Sequence, residues 1–432
     1  MKLEDMILVS VDDHICEPAG VFDSAPTKWR DQMPQVVCRN GIDAWEFQGK
    51  RMANLGLNAV VGRRPEEYGL EPMAFDQLRK GCYDVHARVA DMNANGMLAS
   101  LNFAQMASSA GQALICKDLD LSYVCIQAYN DWHIDEWCGA YPERFIPQAI
   151  MPLWDMDLAV AEAQRIKAKG CNAISLLPVP NREGFQSWNS GYWDPLLAAA
   201  EDLELVINLH IADAHTATPS PESPVDVFIT NLPVSLFMTA SDLLWSPILR
   251  RHPNLKFALS EGGAGWVGHL KERADFTYKH HSAWTNQDFG DMLPSEVFDR
   301  HFYTCFIEDA FAIQNRAVTG INNMMWECDY PHSDCTWPRS PEGIFPSFSG
   351  CTDDEINKIT HLNALRLYKH NPFKTMDRVD CTVGALRALA KNVDLSYLDA
   401  AAGGVKPSNE GGKVPSMGEM AQRLNEAYSL TV

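Results

Sequence analysis

Eight short apolar runs, most of them followed by a longer stretch whose apolar residues recur at helical spacing, constrain this chain more than any other feature. The runs are MILVSVD (6–12), MLASLNF (97–103), RFIPQAIMP (144–152), NAISLLP (172–178), ELVINLH (204–210), LKFALSE (255–261), HFYTCFI (301–307) and NMMWECD (323–329). Helical patterning fills 117–139, 155–169, 226–251 and 264–282 between them. Strands that feed crossover helices pair in parallel and are buried on both faces, which is why they read as continuous grease rather than as alternation. Eight such units predict an α/β fold, a (β/α)₈ TIM barrel, in which functional side chains gather where strands end and loops begin.

Two regions depart from the repeat. Residues 33–80 carry hairpin-like runs (QVVCRNGIDAWEFQGKR) and a Gly/Pro-rich loop, which read as an insertion after the first strand placed to cover the mouth. The barrel pattern ends near 375, so the expected organisation is a barrel over 1–375 and a C-terminal extension over 376–432. Within that extension AAGGVKPSNEGGKVP (401–415) reads as a linker. A terminal helix follows, opened by a Ser416-x-x-Glu419 capping box, with Met420, Leu424 and Tyr428 on one face. A single stripe needs a surface; the chain's own barrel or a neighbouring subunit would serve, with the neighbour slightly favoured.

Bulk properties exclude some partners. With 432 residues and 46% hydrophobic content the chain can bury a large core. A net charge of -20 without a Lys/Arg cluster argues against nucleic acid or an anionic membrane surface. No apolar run is read as approaching the roughly 20 residues of a membrane span, and Asp12 and Asp13 come too early for a signal peptide. The twelve cysteines are scattered, with no Cys-x-x-Cys pair, as suits a reducing compartment; the expected location is cytoplasmic. A small-molecule substrate is the expected partner, together with self-association or a homologous chain.

The chemistry-bearing residues stand at strand ends. Asp12 and His14 are two apart, so in extended chain both point to one side while Asp13 points away. A lone Asp-x-His is more often a turn or cap. Here, however, His210 closes VINLH, Glu261 closes FALSE ahead of Gly-Gly, and Asp329 closes MMWECD, each where a barrel places its site. Such a set of carboxylates and imidazoles fits one or two divalent cations. His332, three residues past Asp329, is a further candidate ligand or substrate-orienting group, or simply a partner for Asp334. Glu17 is a candidate second-metal ligand or an acceptor of backbone hydrogen bonds. His281, beside His280 at the end of the sixth helix, is a candidate ligand or a helix-dipole cap. His215 and Asp213 follow the fifth strand and could reach substrate, and the aromatic-rich 129–145 reads as core packing.

Asp12-x-His14, His210, the SEGGAGW turn, DYPHSDCTWP and Asn363-Ala364 of THLNALRLY together resemble the amidohydrolase superfamily. The likeness is to its amidohydrolase-2 branch, which contains aminocarboxymuconate-semialdehyde decarboxylase and the resorcylate and carboxyvanillate decarboxylases. It spans roughly residues 6–372 and leaves out the tail. The resemblance implies a divalent metal held by Asp12, His14, His210 and Asp329. Two departures stand out: Asp-x-His replaces the usual His-x-His or Glu-x-His, and Glu261 stands where the decarboxylases place a sixth-strand histidine. A carboxylate there can hold a second cation. The sequence is in this respect similar to a small dinuclear-metal oxygenase group of the superfamily, exemplified by isobutylamine N-hydroxylase. That likeness implies an Fe/Mn-type monooxygenase acting on a small organic molecule such as an aliphatic amine, with Asp329, Glu261 and His332 in catalysis, O2 as co-substrate and an external reductase. The alternative is a mononuclear Zn or Mn hydrolase or decarboxylase for a small carboxylated or amide substrate. In a hydrolase Asp329 would take a proton from water; in a decarboxylase it would deliver one to carbon.

Overall fold

Each of the eight apolar runs contains a strand, and their order along the chain is their order around a parallel barrel. A computed structural model describes residues 1–39, 41–52, 58–69, 74–108, 110–211, 219–398 and 414–422. The first strand is β1 (Val9–Ile15); the insertion supplies β2 (Gln35–Arg39), β3 (Ile42–Phe47) and β4 (Lys50–Met52). The barrel resumes with β5 (Ala99–Ala104), β6 (Phe145–Ile146), β7 (Ala149–Ile150), β8 (Ala173–Leu176), β9 (Val206–His210), β10 (Lys256–Ser260), β11 (Phe302–Phe306) and β12 (Met324–Trp326).

Hydrogen-bonded ladders run β1-β5-β6 and β7-β8-β9-β10-β11-β12. The third run, expected as one strand, is split into β6 and β7 around Pro147, which has no N–H to give to a ladder. Closure comes from the site itself. Asp329 N donates to Asp12 O and His14 N donates to Tyr330 O, each at 2.7 Å, tying the chain after β12 to β1. Inside the barrel lies a polar layer: Asn208 donates to Gln148 Oε1 at 2.9 Å, Tyr368 OH to Asn208 Oδ1 at 2.8 Å, and Trp137 Nε1 to Asn102 Oδ1 at 2.9 Å. Every member has a partner, so the layer fixes the floor beneath the strand ends without leaving a donor stranded.

The helices α1 (Val85–Asn95), α2 (Leu119–Asp131) and α3 (Met156–Ala168) each begin at an aspartate, Asp84, Asp118 or Asp155, whose carboxylate accepts a first-turn N–H. After α4 (Asp194–Asp202) and β9, the stretch expected as one helix over 226–251 is three: α5 (Val225–Asn231), α6 (Val234–Trp245) and α7 (Ile248–Arg251). Pro233 and Pro247 impose the breaks by removing backbone donors. This segment corrects the expectation about apolar length, since Val225–Trp245 has 21 residues and contains an 18-residue window with a mean hydropathy of 1.4, enough by length and composition to cross a membrane. In the fold α6 buries Leu236, Ala240, Leu243 and Leu244, one helical stripe against the barrel. Each buried leucine contributes about 1.5–3 kcal/mol there. α8 (Val267–Thr285) and α9 (Pro294–His301) continue the outer layer.

The insertion forms an antiparallel sheet in the order β2-β3-β4, and its following loop reaches the barrel mouth, where Val60 N and Val61 N both donate to Pro331 O at 3.0 Å. The aromatic-rich stretch is core: Tyr129, Trp132, Trp137 and Phe145 are all buried. The capping box at Ser416 is present, with Ser416 N and its hydroxyl on Glu419 Oε2 at 3.1 and 3.3 Å. The segment that leads into it is tied to its own chain: Val225 N donates to Pro415 O at 3.1 Å and Met417 N to Ser223 O at 2.9 Å. Leu424, Tyr428 and residues 401–413 of the linker lie outside the described residues, as do Asp213 and His215.

Candidate metal centre

β1 aims Asp12 and His14 into the mouth and Asp13 away from it, as strand alternation requires. A bulge between Ser10 and Asp13 re-registers β1 on β5 at this point. Asp13 is spent on structure, accepting Tyr330 N at 2.8 Å and the Ser100 hydroxyl. Burial raises its carboxyl to about 6, an effect that Arg88 and these donors partly offset.

Across the mouth, His14 Nε2 and His210 Nε2 face each other at 3.1 Å. His14 Nε2 is 3.4 Å from Asp12 Oδ1 and 3.5 Å from Asp329 Oδ1. His210 Nε2 is 3.6 Å from Asp12 Oδ2 and 3.2 Å from Glu261 Oε2. His332 Nδ1 lies 2.8 Å from Asp329 Oδ1, and its ring packs on that of His14 with centroids 4.0 Å apart. Asp12/His14/His210 and His14/Asp329/His332 are thus two ligand trios sharing one imidazole. Glu261 and Asp329 both adopt the left-handed backbone, at φ of 62° and 58°. Such strained residues persist where surrounding structure over-determines them, and here both turn an acid inward at a strand end.

The electrostatics are those of ligands drawn together. Asp12 is fully buried, and neither of its oxygens has a hydrogen-bond partner among the described residues. Burial, then the charges of Glu327 and Glu261, push its carboxyl well above the ordinary range. Asp329 moves the same way through burial, then Glu261 and Asp12. Burial, helped by His332 and His210, takes the His14 imidazole well below its usual value, and burial lowers His332 to about 4. A cluster of this kind is costly as bare charges. One divalent cation supplies what the acids lack and needs neutral imidazoles, the form toward which burial pushes His14 and His332. Donor atoms bound at about 2.1 Å to a shared ion stand roughly 3 Å apart, which is the spacing found. Mixed carboxylate and imidazole donors suit manganese, iron or zinc.

The remaining candidates separate cleanly. Glu17 is not among the ligand trios: it is buried under the loop after β5, accepting Gln105 N and Met106 N at 2.8 Å each and Tyr129 OH at 3.2 Å. His281 is not at the site either. It lies in the last turns of α8, roughly 20 Å along the helix axis from its start beside the mouth, and its Nδ1 accepts Trp284 Nε1 at 3.0 Å. His280 stacks on Phe276.

Two residues escape the sequence reading. Glu327, fully buried, accepts Glu261 N at 3.1 Å and adds a fourth carboxylate to the site. Its signal was available, because in the run NMMWECD it stands two residues before Asp329, the spacing that puts side chains on one side of an extended chain. Arg88 gave no signal; from α1 it donates to His14 O and Gly81 O at 2.6 Å each and covers the Tyr330 ring at 4.3 Å.

A protein-family model described as amidohydrolase matches residues 76–370. That span includes His210, Glu261, Asp329 and His332 but begins after Asp12 and His14. Among solved structures, an amidohydrolase from Mycobacterium avium subsp. paratuberculosis is similar at 18% identity and a TM-score of 0.64, over 84% of this chain and 97% of that one. The 5-carboxyvanillate decarboxylase of Sphingomonas paucimobilis is similar at 17% identity and a TM-score of 0.58, over 85% and 100%. A dihydroxybenzoic acid decarboxylase from Polaromonas with bound manganese is similar at 17% and 0.53, over 86% and 98%.

Proposed function

The chain belongs to the amidohydrolase family whose model it matches over residues 76–370, and from that premise we propose that it is a divalent-metal-dependent carboxy-lyase for a small carboxylated substrate. The observation that carries the metal is Asp12, buried with both oxygens unpartnered among the described residues, beside two imidazoles whose Nε2 atoms are 3.1 Å apart. The decarboxylases of like fold, one with bound manganese, support the reaction class. Asp12, His14, His210 and Asp329 would hold the cation, with Glu261 beside His210. The chemistry it supplies when bound is Lewis acidity toward substrate oxygens.

The protein's own groups do the rest. Asp329 carries the proton that replaces the departing carboxyl group: the carbon–carboxyl bond breaks, its electron pair stays on carbon, that proton joins it, and carbon dioxide leaves. His332, whose Nδ1 lies 2.8 Å from Asp329 Oδ1, orients the acid. The insertion, anchored on Pro331, stands at the rim, where it can keep water out.

A second reading, a dinuclear Fe/Mn oxygenase with an external reductase, is favoured by one observation: two ligand trios share His14, and Glu261 and Glu327 add two further carboxylates. Elemental analysis combined with Glu261→Ala separates the two. The carboxy-lyase reading expects one cation per chain, retained in the variant, and carbon dioxide release from aromatic carboxylates. Two redox metals, one of them lost on Glu261→Ala, with amine-dependent oxygen uptake, would replace it with the oxygenase. A chain with no affinity for divalent metal sinks both.

A further inference from the structure

At the opposite end of the barrel, a cleft of about 300 Å³ opens between α7, the 288–290 turn and the end of α9, lined by Arg250, Arg300, Phe289, Met292, Val297 and His301, among others. It lies at the N-terminal ends of β10 and β11, whereas His210 and Glu261 stand at C-terminal ends, so it is separate from the metal centre. Its charge is unusual for a chain of net charge -20. Several arginines are neutralised in place, Arg79 by Asp91, Arg165 by Asp131 and Glu162, Arg316 by Glu355 and Arg387 by Glu342, and the buried Arg88 is spent on backbone carbonyls. Among the described residues neither Arg250 nor Arg300 has a carboxylate at ion-pair distance. Arg250 donates to the neutral Gln287 Oε1 at 3.2 Å and lies over the Phe289 ring at 4.9 Å. Arg300 has the thioether of Met292 at 3.7 Å, a weak acceptor. The one acid lining the cleft, Asp288, accepts Gly290 N at 2.8 Å and leaves one positive charge in excess. The walls between the arginines are apolar, with Phe289 and Val297 buried.

We propose that this cleft binds a small organic carboxylate, its anionic group held by Arg250 and Arg300 and its apolar, ring-sized body seated on Phe289, Met292 and Val297. The volume is at the lower limit of small-molecule sites, which matches a ligand of one ring. Guanidinium groups with unused in-plane N–H donors are the natural partners of a carboxylate.

The test is titration calorimetry of the full chain with benzoate, using benzamide as its uncharged isostere and sulfate as an anion without an apolar body. The expected result is saturable benzoate binding, with benzamide and sulfate at least tenfold weaker, as loss of charge-assisted hydrogen bonds implies. Arg250→Gln/Arg300→Gln should weaken benzoate at least tenfold while leaving manganese binding at the wild-type level. Met292→Trp, which fills the cleft and keeps both charges, should do the same and stands in if the double variant fails to fold. Unchanged benzoate affinity in these variants overturns the proposal, and so does equal affinity for benzamide or sulfate. Benzoate binding that is lost in His210→Ala but kept in the arginine variant places the ligand in the metal centre and also overturns it.

Discussion

Replacing Asp12 by Asn should change stability in opposite directions with and without metal. The carboxyl is completely buried, its oxygens have no hydrogen-bond partner among the described residues, and Glu327, Glu261 and Asp13 press on it with like charge. Its folded pKa therefore lies above the unfolded value of about 3.9. In that case the folded state binds more protons than the unfolded one, so metal-free stability is fully present below about pH 3.9 and falls as pH rises through the folded value. A buried group left unsatisfied costs about 1–3 kcal/mol, more if charged. Asn removes the charge, so in chelator-treated protein at pH 8 the variant should be more stable than wild type by about that amount in urea denaturation. With excess manganese the order should reverse, because ligand at a thousand times Kd adds about 4.1 kcal/mol to wild type alone. Equal metal-free stabilities at pH 8, or wild-type manganese affinity in the variant, would refute the reasoning.

Two further perturbations probe the scaffold. Arg88→Met removes two charge-assisted bonds of 2.6 Å to the carbonyls of His14 and Gly81; it should cost about 3 kcal/mol in urea denaturation, and a loss under about 1 kcal/mol would show that the guanidinium is not holding the strand end. His133, buried, has its imidazole lowered to about 4 by desolvation, so the unfolded chain binds more protons between about pH 4 and 6.5, and stability should fall with acidification across that window by up to about 3 kcal/mol. His133→Phe should flatten that slope in denaturation curves at pH 7 and pH 4.5; an unchanged slope would assign the acid sensitivity to other groups.

The eight strands were legible because a parallel barrel buries both faces of each strand, and that demand is written locally as VINLH or FALSE. So was the placement of Asp12, His14, His210, Glu261 and Asp329 at strand ends, since the period of two and the barrel's polarity follow from the chain direction alone. Glu327 could have been read by the same alternation from Asp329. Other features depend on which segments become neighbours. Glu17 and His281 carry ligand-type side chains near plausible elements, yet one is claimed by the amides of Gln105 and Met106 and the other is carried down α8 away from the mouth. No local pattern distinguishes them from His14. The turn of Tyr330 onto His14 is likewise settled by closure. The sequence by itself determined the architecture and the ring of candidate ligands, because periodicity and strand polarity are properties of the chain. Only the tertiary structure decided which acids and imidazoles converge within 4 Å and which arginines lack an acid, because burial and charge pairing exist only between segments brought together in space.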